Sequence, residues 1–170
     1  MSALVDQKGQ TAMDDIMVPK LLHEQRLERL AEIAVQVGLS LAPGQELVIS
    51  APIESLPLVR LITEHAYKAG ASLVTTLFGD DASTLLRFKH APDASFDRTT
   101  CWLYEAMAAA FGNGAAWLMI AGEDPAILVG QDPEKVTRVD RERWTAFPHI
   151  LNFDVNWSIV SYATTAWAKA

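Results

Sequence analysis

Two pairs of adjacent carboxylates, Asp80-Asp81 and Glu123-Asp124, have the residue types and placement to do chemistry in this 170-residue chain. Each pair follows an apolar, strand-like run: 72–78 precedes the first and 115–121 the second. When such strands lie parallel, the loops that leave them share the carboxyl edge of the sheet, where open α/β folds usually bind ligands. Four carboxylates gathered there suit a hard cation such as Mg²⁺, or an amine. The same residues have a simpler use. Asp81 and Asp124 each stand ahead of a helix-forming stretch, where a carboxylate accepts the unpaired backbone N–H groups of the first turn. The run Gly122-Glu123-Asp124-Pro125 also suits an interface loop.

Other reactive arrangements are incomplete. A zinc-protease helix carries two His one turn apart with a Glu between them. His23-Glu24 begins that pattern, but Leu27 stands where the second His is needed. The four histidines, His23, His65, His90 and His149, are far apart in sequence, and His65 and His90 fall near helix C-termini, where the helix dipole favours them. Gly112-Asn113-Gly114 lies after a helix and before a strand, the reverse of a phosphate-binding loop. No dinucleotide fingerprint and no Gly-x-Ser-x-Gly elbow is present. Cys101, the single cysteine, sits in the apolar stretch Cys101-Trp102-Leu103 and reads as a small core residue.

Composition narrows the class of protein. Half the residues are apolar, enough for a hydrophobic core. With 14 basic and 21 acidic residues the net charge is −7, which argues against nucleic acid and against an anionic membrane surface. One cysteine forms no intrachain disulfide. The first 20 residues lack the basic-then-apolar layout of a signal peptide, and no apolar run approaches the roughly 20 residues of a membrane span. The expectation is a cytoplasmic protein with residues 1–24 as a tail ahead of one domain, 25–170.

The elements that must position the carboxylates follow from periodicity. Leu27, Leu30, Ala34 and Val37 mark one face of a helix over 25–37, with Gly38 as its stop. A buried strand is predicted over 46–50, then a helix over 55–69 with Pro57 in its first turn and an exposed ladder of Arg60, Glu64 and Lys68. A strand over 72–78, a short helix over 83–90 and a long helix over 98–111 come next. The strand over 115–121 is apolar throughout, which predicts burial on both faces. A short helix before Gly130, a charged helix over 132–147 and a strand over 156–163 complete the order. Strands joined by helical crossovers pair in parallel, which gives an open three-layer α/β sheet of about four mainly parallel strands with helices on both faces. Trp117 and Trp157 are expected in its core.

Several segments together resemble the aminopeptidase T family of thermophilic-type metallo-aminopeptidases. They are Leu27-Glu28-Arg29-Leu30-Ala31-Glu32 through Val37-Gly38-Leu39, Gly44-Gln45-Glu46-Leu47-Val48-Ile49, Glu64-His65-Ala66-Tyr67-Lys68-Ala69-Gly70-Ala71 and Ile120-Ala121-Gly122-Glu123-Asp124-Pro125. Trp157-Ser158-Ile159-Val160-Ser161-Tyr162 with Ala166-Trp167-Ala168 completes the set, which runs in order across 25–170. Where the family has Arg before that Trp and Pro after that Tyr, this chain has Asn156 and Ala163. The resemblance implies a two-part enzyme that removes N-terminal amino acids from peptides. Its two divalent metals, Zn or Co, would be held by Glu, His, Asp and Tyr of a second domain. Nothing in this chain aligns with those ligands, so no catalytic or metal residue is carried over and no cofactor is expected on the chain itself. It would serve as framework, as a wall of the substrate cavity or as a homodimer contact. Trp167, with little chain after it, reads as part of an internal segment left exposed, so a truncated protein is expected. The alternatives are a stand-alone enzyme using the carboxylate edge and a non-enzymatic binding or assembly module.

Overall fold

The computed structural model describes residues 21–140, 152 and 154–169. Along β1 (Glu46–Pro52), Leu47, Ile49 and Ala51 alternate with Val48, and all four are buried. A strand buried on both faces belongs in the interior of a sheet. β1 accordingly pairs in parallel with β2 (Leu73–Gly79) on one side and with β3 (Ala116–Ala121) on the other. β4 (Trp157–Ser161) joins the outer side of β3, also parallel, so the sheet order is β2-β1-β3-β4. The four-stranded parallel sheet with helices on both faces matches the architecture expected from the sequence.

On one face lie α1, over 21–33 and continued by a π-helical turn Ala34–Leu39, and α2 (Leu56–Lys68). Ala31, Val35, Leu39, Leu58, Ile62 and Ala66 pack there against Leu47, Ile49, Leu118 and Ile120. On the other face α4 (Cys101–Gly112) sets Met107 and Phe111 against Val48, with Trp117 and Trp157 partly buried beside them. A satellite joins α3 (Asp81–His90), the 3₁₀ segment Asp93–Asp97 and α5 (Pro133–Asp140). There the Phe88 and Phe96 rings meet at 5.2 Å, and the Arg138 guanidinium bridges Asp93 and Asp97. The hydrogen bond to Asp97, and the neighbouring Asp93, raise the Arg138 pKa further.

Several local expectations change. Gly38 does not stop the helix: the chain turns once more in π-helical form to Leu39, and Ser40 takes the left-handed conformation that ends it. Gly38 serves close packing instead, since a β-carbon there would lie 2.9 Å from Ser158 Oγ on β4. Residues 21–24, read with the tail, are helical. Residues 125–130 form turns rather than a helix. α5 is described to Asp140, and the remainder of the predicted charged helix, with Trp144 and His149, lies outside the described residues, as do residues 1–20. Cys101 is exposed and not in the core, and its neighbour Trp102 is 70% exposed. α4 is apolar nearly all round, so neighbouring apolar residues did not mark which face meets the sheet. Of the predicted exposed ladder on α2, Glu64 and Lys68 pair at 2.6 Å.

The amino edge of the sheet is joined by an amide pair. Gln45 Nε2 donates to Asn156 Oδ1 at 2.6 Å, and Asn156 Nδ2 donates back to Gln45 Oε1 at 3.1 Å. Asn156 also donates to Leu39 O at 2.8 Å, and Gln45 to Gly114 O at 2.8 Å. Two side chains thus tie together the segments entering β1, β3 and β4 and the end of the first helix. Replacing Asn156 by Ala removes partners from part-buried polar groups and is expected to cost about 1–3 kcal/mol. Ile159→Ala, at a half-exposed edge position, should cost well under that. Urea denaturation of the two variants measures the difference, and equal midpoints would contradict it.

Candidate functional site

Because all four strands are parallel, the ends of β1, β2, β3 and β4 meet at one carboxyl edge. The chain passes from β1 outward to β2, then back across β1 to β3, so the order reverses between β1 and β3. Such a reversal opens a crevice at the carboxyl ends, because the flanking loops leave in opposite directions.

Each carboxylate singled out from the sequence lies at this edge with a defined hydrogen-bonding task. Asp80, not Asp81, caps α3: its carboxylate accepts from Ala82 N at 3.3 Å, Ser83 N at 3.1 Å and Ser83 Oγ at 2.6 Å. Asp81 is the first residue of that helix, and its Oδ2 accepts from Asp124 N at 2.7 Å. Asp124 Oδ1 accepts from Ala126 N at 2.9 Å, which opens a run of turns rather than a helix. Glu123 Oε2 accepts from Gly122 N at 3.1 Å. The Asp81–Asp124 bond is the most informative, because it links loops leaving β2 and β3, two strands that β1 keeps apart.

The four carboxylates do not converge on one point. A cleft of about 680 Å³ takes Asp81 and Asp124 into its lining, together with Glu54, Gly122, Thr164 and Lys169. A second, of about 630 Å³, takes Asp80, Asp81 and Glu123, together with Thr84, Arg87 and Tyr104. Among the described residues no group of three or more His, Cys, Asp or Glu is placed to hold a metal ion. His23, His65 and His90 line neither cleft. His65 meets Glu28 at 2.8 Å between α1 and α2. The charged residues that line the first cleft are Glu54, Asp81, Asp124 and Lys169, a setting for a polar or amine-bearing group.

Glu54, Tyr162, Thr164 and Lys169 were not among the residues expected from sequence. Glu54 had a usable signal: it follows β1 by the same rule that placed Asp80 after β2. Thr164 had none. Its hydroxyl donates to Gly122 O at 2.7 Å, a partner 42 residues away, and accepts from Trp167 N at 3.1 Å.

The architecture is thus an open parallel α/β domain with two clefts at its carboxyl edge. A sequence model of the thermophilic metalloproteases, M29, matches residues 23–170, and the chain belongs to that family. Aminopeptidase T of Thermus aquaticus is 46% identical over 150 residues, which cover 86% of this chain and 37% of that protein. Aminopeptidase T of Thermus thermophilus is 44% identical over 151 residues, with the same coverage. Aminopeptidase 2 of Geobacillus stearothermophilus is 37% identical over 153 residues, covering 86% of this chain and 36% of that protein. The solved structure of wild-type AmpT from Thermus thermophilus superposes with a TM-score of 0.82 at 45% identity, over 86% of this chain and 38% of that one. The chain therefore spans a little over a third of the length of these relatives. The family resemblance and the fold expected from the sequence both hold.

The Asp80 carboxyl lies below its ordinary value of 3.8, first because the Ser83 hydroxyl bonds to its charged form and then because the Ser83 and Ala82 N–H groups do. A lowered folded-state pKa means that this cap stabilises α3 above pH 3.8 and is lost as the pH falls through the folded value. Amide shifts of Ala82 and Ser83 should stay level above that pH and titrate only beneath it. Asp80→Ala should abolish the titration and loosen the first turn of α3. A midpoint at or above the ordinary Asp value would contradict this.

Proposed function

We propose that this chain is the N-terminal part of a metal-dependent aminopeptidase that removes N-terminal amino acids from peptides, and that by itself it is inactive. The observation that carries the reading is the match across 23–170 to a metalloprotease family whose similar members are named aminopeptidases. The chain's part in such an enzyme is framework: the sheet supports a carboxyl edge whose acidic cleft forms one wall of the substrate cavity. A peptide's N-terminal ammonium is compatible with Glu54, Asp81 and Asp124 along that wall. Dimer contact and a cytoplasmic setting belong to the same proposal; none of the described helices is long and apolar enough to cross a membrane.

The family's metal chemistry is not assigned to this chain. A metallopeptidase metal activates water and polarises the scissile carbonyl. The carboxylates at the edge are not grouped for such a role: among the described residues no three or more His, Cys, Asp or Glu are placed to hold a metal ion.

The purified chain, supplied with Zn²⁺ or Co²⁺ and an aminoacyl chromogenic substrate, is expected to give no turnover above the metal-only blank. Chelator-sensitive turnover that is lost in Asp81→Asn or Glu123→Gln would overturn the claim of inactivity and favour a stand-alone enzyme at the carboxylate edge.

A further inference from the structure

We propose that residues 162–169 form a strap that opens and closes on the carboxyl edge, with the Thr164 hydroxyl as its clasp. The proposal rests on the cleft geometry and not on the peptidase reading. Of the residues lining the cleft of about 680 Å³, Tyr162, Ala163, Thr164, Thr165, Ala166 and Lys169 all come from this one short run after β4. The opposite wall comes from the loops after β1, β2 and β3. The cleft therefore exists as a cleft only while the strap lies in place.

Little holds the strap down. Within it Thr164 is the single buried residue, and its other members are exposed or half-buried. Its first residue continues the β4 ladder through Tyr162 N to Ala121 O at 2.7 Å. Past that point, among the described residues, the hydroxyl of Thr164 makes the bond to the rest of the domain, donating to Gly122 O while accepting from Trp167 N. The remaining bonds of the strap are internal: Thr164 N to Tyr162 O, Ala168 N to Thr164 O and Lys169 N to Ala166 O. Tyr162, at the root, packs against the main core; beyond it the described strap has one buried residue and one tertiary side-chain bond, and such a segment opens at far lower cost than a core strand. An occupant that touches both the strap and the opposite wall would favour the closed form, because it binds that form better.

Gly122 completes the device. A β-carbon at this position would lie 2.5 Å from Tyr162 O and 3.2 Å from Thr164 Cγ2. The close approach that lets Thr164 reach the carbonyl of residue 122 thus requires glycine there, and a larger residue would lift the strap at its root.

Hydrogen–deuterium exchange on the chain and three variants tests this. Thr164→Val keeps the shape and removes the hydroxyl, Thr164→Ser keeps the hydroxyl, and Gly122→Ala crowds Tyr162. Thr164→Val and Gly122→Ala are expected to speed exchange of the Trp167 and Ala168 amides about tenfold, while amides of β1 and α2 keep their wild-type rates. Thr164→Ser should remain near wild type. Unchanged exchange at 167–168 in Thr164→Val would overturn the proposal. So would equal acceleration in β1 and α2, because the hydroxyl would then support the core rather than a separable strap. If Gly122→Ala fails to fold, the Val and Ser pair at position 164 still decides.

Discussion

Both neighbours of β1 run parallel to it, and the rest of the structure depends on that constraint. Parallel pairing forbids tight hairpins, so every connection must cross a face of the sheet. α2 carries the chain from β1 to β2 across one face, and α4 brings it into β3 across the other. The result buries Leu47 and Ile49 on one side and Val48 on the other. It also sends every strand end to the same edge, so carboxylates distant in sequence become neighbours. Asp81 and Asp124, 43 positions apart, are joined by a single backbone bond there.

The two edges of the sheet are finished differently. At the amino edge, Gln45 and Asn156 exchange amide hydrogen bonds and hold the incoming segments in register. At the carboxyl edge, buried hydroxyls take the carbonyls that the ladder leaves over: Ser55 donates to Pro52 O and Thr164 to Gly122 O. Loops rather than reciprocal side-chain pairs build this second edge, and it is the edge with the clefts. Placing stability at one end and adaptable loops at the other is how parallel α/β folds carry a site without weakening the sheet.

Periodicity and turn chemistry made the strands, the crossovers and the parallel sheet legible in the sequence. The position of Asp80, Asp81, Glu123 and Asp124 at the carboxyl edge was legible for the same reason. What was not legible depends on contacts between distant segments. Gly38 looks like a helix stop, yet it admits Ser158 of β4. Asp80 and Asp81 are equivalent as caps until the helix start is fixed, and the structure assigns the cap to Asp80. Cys101 lies among apolar neighbours but faces solvent, because only the Met107 and Phe111 side of α4 meets the sheet. Thr164 carries no local signal, since its partner at Gly122 is brought to it by the sheet.

The chain belongs to a metalloprotease family, yet its carboxyl-edge carboxylates are committed to backbone N–H groups of that edge. The edge carboxylates accept backbone N–H groups and line clefts, and among the described residues no three or more His, Cys, Asp or Glu are grouped to hold a metal ion. Calorimetric titration of the purified chain with Zn²⁺ tests this most directly. No stoichiometric binding is expected at micromolar metal, and no difference between the wild-type chain and Asp81→Asn. Tight binding of one or two Zn²⁺ per chain that Asp81→Asn or Glu123→Gln abolishes would contradict it.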